Sequence, residues 1–140
     1  MIDLTVLATE LKRRTAWQRT PEPIADVQYH QLLLEAVREL YVMTGRTQQF
    51  DEALVAYEDD APVSYDAELM IDEREFVLTT AEIGFFRLVQ TNVNNIVGYT
   101  TDALSITNAD KPYQYISTTL KELEAKRRIY YYKMTRYTLL

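Results

Sequence analysis

Ile83, Phe86, Val89, Val93, Ile96 and Val97 follow one another at steps of three and four. Only an α-helix gathers such positions onto one face, and so apolar a face has to be covered by other elements. The stripe therefore predicts a long helix in a bundle. Just before it, Thr79-Thr80-Ala81-Glu82 reads as a capping box, with the Thr79 hydroxyl and Glu82 carboxylate each satisfying a free backbone N–H. Gly98 reads as the end of this helix.

Two helices are expected before it. Leu4, Leu7, Ala8 and Leu11 share a stripe over residues 4–14, with Asp3 placed to cap it, and Thr20-Pro21-Glu22-Pro23 breaks the run. A second helix is predicted from about Ile24 or Asp26 to Thr44. His30, Leu33, Leu34, Val37, Leu40 and Tyr41 lie on one face of it, and Gly45 stands where a left-handed cap is wanted.

Between residues 46 and 74 the pattern changes. Val63, Tyr65, Ala67, Leu69 and Ile71 alternate at period two after the turn-like Glu58-Asp59-Asp60-Ala61-Pro62. A short strand or extended arm is expected, or a hairpin with residues near Leu54 to Tyr57 that leans on a helix. After a polar connector over 100–110, pinned by Leu104 and Ile106, a last helix is predicted to start near Pro112 or at a second capping box, Thr119 to Glu122. Its seam of Ile116, Leu120, Leu123, Arg127, Tyr130, Met134 and Tyr137 is heptad-like, with Arg127 interrupting it. Aromatics lie on every side of its end, and a helix apolar all round is normally covered all round. The fold expected is mainly α: one domain over 1–140, about four helices, a short extended or β-hairpin insertion at about 50–75, and a protruding C-terminal helix or arm.

The equipment of catalysis is sparse. There is no cysteine, which excludes disulfides, thiolate chemistry and cysteine-ligated metals. The lone histidine, His30, sits on an apolar stripe and reads as a satisfied core or interface residue. Three glycines cannot build a phosphate-cradling loop, and none lies between Gly45 and Gly84 to centre a calcium loop in the acidic stretch. No enzyme activity, cofactor or metal is expected. The N-terminus lacks the pattern of a secretory signal and no apolar run could span a bilayer, so a soluble, cytoplasmically synthesised protein with no membrane partner is expected.

Charge is unevenly placed. Residues 51–75 carry ten acidic groups and one arginine, while 111–140 carry seven basic groups and two acidic ones. A chain negative in the middle and positive at the end can meet copies of itself with opposite patches facing. The 11 tyrosines, each an apolar body with a polar tip, suit surfaces that become interfaces. The basic tail interleaves cations with stackable rings, yet the net charge of −6 speaks against a dominant nucleic-acid surface.

The order of features resembles one family. A helix ending in Leu40-Tyr41-Val42-Met43-Thr44-Gly45 leads to an acidic extended stretch. Phe76-Val77-Leu78-Thr79-Thr80-Ala81-Glu82 then opens a long apolar helix, and Leu104 to Tyr113 connects to a final charged helix with Ser117 near its start. Over roughly residues 26–138 this is similar to the head–tail connector, or neck adaptor, proteins of tailed bacteriophages. The third helix departs from that pattern in having Asn92, Asn94 and Asn95 near its end.

The resemblance implies a structural subunit in the virion neck. Copies would form a ring, commonly of twelve, that docks on the portal protein, continues the DNA channel and offers a platform to the next neck or tail-terminator protein. Carried onto this chain, a docking arm over 126–140 would meet the portal through Arg127, Arg128, Tyr130, Tyr131, Tyr132, Lys133, Arg136 and Tyr137. Glu58, Asp59, Asp60, Asp72, Glu73 and Glu75 would face a neighbouring subunit or the channel, where an acidic lining keeps passing DNA from sticking. The alternatives are another helical interaction or tail-completion factor, and an enzyme with an unrecognised carboxylate site.

Overall fold

A computed structural model describes residues 1–15, 24–44, 49–100 and 107–138, with backbone alone at 92–100, 107–113 and 136–138. Among the described residues there are four helices, α1 (Leu4–Arg14), α2 (Asp26–Thr44), α3 (Ile71–Thr100) and α4 (Thr107–Thr138). Three short strands, β1 (Ile2–Asp3), β2 (Val55–Glu58) and β3 (Ala61–Tyr65), form one antiparallel sheet in the order β1-β3-β2. The mainly helical fold with a hairpin insertion is as expected. The prolines at 21 and 23, Gly45, Leu104 and Ile106 lie outside the described residues.

The first helix follows its sequence closely. The Asp3 carboxylate accepts the N–H groups of Thr5 and Val6, and Leu4, Leu7, Ala8 and Leu11 are buried. In α2 the buried face comprises Leu33, Leu34, Val37, Leu40 and Tyr41, widened by Tyr29 and Ala36. Tyr29 stacks on Phe85 of α3, with centroids 5.8 Å apart. A Cβ on Gly84 would fall 2.8 Å from Leu32 Cδ2, so glycine there lets Leu32 of α2 seat directly against the α3 backbone.

The third helix corrects the sequence reading at both ends. It begins at Ile71, two turns before Thr79, and runs past Gly98 to Thr100. The free N–H groups that a capping box serves lie at a helix start, and that start is capped otherwise: the Glu73 carboxylate accepts the Met70 N–H at 3.0 Å. Phe76, Val77 and Leu78 carry the apolar face upstream, fully buried, so burial extends the helix beyond its apparent cap. Thr79 is fully buried, and its hydroxyl has no hydrogen-bond partner among the described residues. Thr79→Val, of nearly the same shape, should therefore stabilise the fold by about 1 kcal/mol, read as a raised urea midpoint. A lowered midpoint would mean that the hydroxyl is bonded after all.

The hairpin is held by aromatic packing. Tyr65 is fully buried, stacked on Phe50 (4.9 Å between centroids) and meeting Tyr41 of α2 edge-on at 5.8 Å. Its hydroxyl accepts the Asp51 N–H at 3.1 Å, next to a 3₁₀ turn over Glu52–Leu54. Asp59 and Asp60, with φ of 51° and 64°, make the two-residue turn between Glu58 and its partner Ala61. Positive φ at both central residues is what the hairpin twist requires, and Asn-Gly meets it with less strain than Asp-Asp. The alternation seen in sequence stops at Tyr65, and Ile71, its last member, is the exposed first residue of α3.

The last helix starts at Thr107, upstream of both expected starts. It packs along α3 with the predicted seam: Ile116, Leu123 and Met134 are buried, and Leu120 and Tyr130 pack partly buried against the core. The expected arm is helical through Thr138, and over 126–135, where side chains are described, that helix is packed with one free face.

Candidate functional site

The most distinctive surface lies along the second half of α4, where packing divides the residues anticipated for docking. Arg127 occupies a seam position, and its guanidinium lies 5.3 Å from the Phe76 ring centre and pairs with Glu39 of α2. An arginine interrupts the heptad because α2 offers a carboxylate within its reach. Tyr130 faces the seam, with the Lys126 and Lys133 ammonium groups over its ring at 6.0 and 5.4 Å. Both serve the bundle first. Arg127→Leu would complete the apolar seam, and Glu39 is exposed enough to stay hydrated without its partner. The variant should stay within about 1 kcal/mol of wild type, whereas Arg127→Glu, bringing like charge to Glu39, should cost about 2 kcal/mol or more. Urea unfolding of the pair checks this, and equal losses would refute it.

The remaining residues look outward. Arg128 and Tyr131 line an open cleft of about 270 Å³ with Met43 at the end of α2, Arg87 and Glu124. One quarter-turn away, Ile129 and Tyr132 are 56% and 63% exposed, flanked by exposed Arg128 and Lys133. The side chains of Arg136 and Tyr137 are outside the described residues. Sequence reasoning missed Ile129, although its three-residue step to Tyr132 was a readable second stripe. It missed Met43 too, and no local signal could have placed that side chain beside α4.

The acidic residues do not form one band. Glu58 ends the edge strand β2 beside exposed Tyr57, and Asp59 and Asp60 form the exposed turn that follows. Asp72 lies in the first turn of α3, where a carboxylate suits the helix dipole. Glu73 is buried on its capping bond, and Glu75 accepts two bonds from Arg14 of α1, both at 2.9 Å. The Arg14 hydrogen bond holds Glu75 below the usual carboxylate range. Next to it, burial pushes Glu82 upward, with Arg14 opposing. Arg14 also bonds Glu10, so one guanidinium gathers three carboxylates from α1 and α3.

His30 is structural, its Nδ1 donating to the Pro62 carbonyl at 2.8 Å and tying α2 to β3. Among the described residues no group of three or more His, Asp or Glu side chains could hold a metal ion. No helix among them is long and apolar enough to cross a membrane.

Fold and surface together define a mainly helical bundle with a small antiparallel sheet and an exposed basic–aromatic helix face. Comparison with protein-family models, with curated proteins and with solved structures finds no match for this chain.

Proposed function

We propose that this chain acts by binding other proteins, as a structural connector subunit of a tailed-phage neck. The observation that carries this reading is the free side of α4, where Ile129 and Tyr132 stay exposed among Arg128 and Lys133 on a helix whose other side is fully used. Exposed aromatics framed by cations are what a protein interface is made of. In this reading copies of the chain form a ring, twelve being the expected number, in the virion neck. The end of α4 docks on the portal protein, with the cleft at Met43, Arg128 and Tyr131 taking a protruding portal side chain. The opposite rim meets the next neck or tail-terminator protein. DNA passes without sequence-specific contact, and no catalytic step is involved.

Light scattering of the protein, alone and mixed with a portal ring, tests the reading. Wild type should form a ring-sized species and co-migrate with the portal, and Met43→Asp should abolish co-migration with the fold intact. A monomer that ignores the portal at every concentration would sink it. Turnover of a substrate, abolished by one carboxylate substitution in a folded variant, would favour an enzyme instead.

A further inference from the structure

The two charged surfaces of this chain are complementary in sign and in apolar content, and they sit on different elements of the bundle. The sheet packs on α1 and α2, while α4 packs on α3 and the end of α2. One copy can therefore present both surfaces to different neighbours. On one side, Ile129 and Tyr132 form an exposed apolar pair rimmed by Arg128 and Lys133. On the other, the hairpin end carries exposed Glu58, Asp59 and Asp60, with Tyr57 56% and Leu54 37% exposed beside them. Neither Arg128 nor any of these three carboxylates forms an ion pair among the described residues. Most other charged groups of the bundle do: Arg38 holds Glu52, Arg87 holds Glu124, and Arg14 holds Glu10, Glu75 and Glu82. Arg128 and the three hairpin carboxylates are thus exposed charges of opposite sign without an ion pair among the described residues, carried on different elements of the bundle.

We infer that the outward face of α4 in one copy docks the acidic β2–β3 hairpin of a second copy. Tyr57 and Leu54 lie against Ile129 and Tyr132, and the hairpin carboxylates meet Arg128 and Lys133. The fit in length is good. Strand β2 spans about 13 Å at 3.3 Å per residue, and the stretch of α4 from Ala125 to Lys133, beyond the acidic Glu122 and Glu124, covers about 12 Å. The contact is head-to-tail, because the two surfaces differ, so it closes into a ring if the rotation between copies permits and otherwise continues as a filament. It rests on the proposed role as a self-assembling subunit, and assigns Ile129, Tyr132 and Lys133 to the neighbouring copy, with Arg128 on the border between that stripe and the Met43 cleft left to a different partner.

Charge reversal with mixing tests it. One variant carries Glu58→Lys and Asp59→Lys, the other Arg128→Glu and Lys133→Glu. By sedimentation velocity in low salt, wild type should associate, and each variant alone should do so at least about tenfold more weakly. An equimolar mixture should regain association, because each reversed surface then meets one of opposite sign. Raising the salt should weaken wild type and mixture alike. A third variant, Asp59→Asn with Asp60→Gly, removes two charges while suiting the turn better, so its weakened association cannot be laid to a broken hairpin. The inference is overturned if wild type stays monomeric in low salt, if the variants associate like wild type, or if the mixture shows no rescue. Portal binding by the hairpin variant, which leaves every residue of the Met43 cleft unchanged, separates the two proposals: if it persists while self-association ignores the charges, the docking inference fails and the connector reading stands.

Discussion

Replacing Arg14 with methionine should lower the unfolding free energy by about 2–4 kcal/mol at neutral pH. Arg14 sits at the end of α1, only 17% of its side chain exposed, and bonds Glu75 and Glu10 closely and Glu82 at 3.5 Å. Glu82 is 7% exposed, and Glu75 and Glu10 are about one-fifth exposed. Removing the cation leaves carboxylates crowded together with little water, which is costlier than losing an exposed ion pair. Burial lowers the Arg14 proton affinity, but its bonds to Glu75 and Glu10 outweigh that and raise it, so the group stays charged.

The pH dependence has a definite sign. Glu10 is held at about 2 by its bonds to Arg13 and Arg14, and Glu75 is lowered by Arg14. Depressed carboxylates contribute stability above the unfolded value, near 4.5, and lose it as the pH falls through the folded value. Glu82 behaves oppositely: raised by burial, its contribution is complete below the unfolded value and lost as the pH rises through the folded one. The gap between wild type and Arg14→Met should therefore be widest near pH 7 and narrower at about pH 3. Over that range Glu82 takes up its proton and the stabilisation from the depressed Glu75 and Glu10 is progressively lost, Glu10 keeping part of its charge down to about pH 2. Urea titrations at both pH values decide it. A gap that does not change with pH, or one below about 1 kcal/mol, would mean that the cluster is solvated and inert.

Tyr65→Ala should cost about 3–4 kcal/mol, and Tyr65→Phe only about 1 kcal/mol. The alanine variant opens a cavity between Phe50 and Tyr41, the rings that seat the hairpin on α2. The phenylalanine variant keeps the stack and gives up the hydroxyl's bonds to the Asp51 N–H and to Tyr41. Near-UV circular dichroism should fall sharply in the first and barely in the second. Equal losses in both would place the stabilisation in the hydroxyl, against the packing argument.

Much of the helical architecture was legible because it is written in local periodicity. The face of α2, the Asp3 cap and the α4 seam each depend on residues within a few turns of one another, and each appeared where spacing placed it. The start of α3 was misread because Thr-x-x-Glu has two uses. At a free helix end it caps, but here Thr79 and Glu82 lie in the third and fourth turns, one facing the core and the other facing Arg14, sixty-eight residues away. The third strand was missed for want of length, since two residues of β1 carry no period.

The candidate surface divides in the same way. Its basic and aromatic composition was plain in residues 126–137, and the acidity of 51–75 equally so. Which of those charges are free was largely a tertiary matter, since Arg127 is taken up by Glu39 and Glu75 by Arg14 across the bundle, whereas Glu73 is used locally by the Met70 N–H three residues before it. By itself the sequence determined the helices, the absence of cysteine chemistry and the sign of each charged segment, because these are properties of neighbours along the chain. Only the tertiary structure decided that the end of α4 is packed on one side and free on the other, and that Glu58, Asp59 and Asp60 stand exposed together at a hairpin tip. Burial is set by what lies across the core, and that is known only once the distant segments have met.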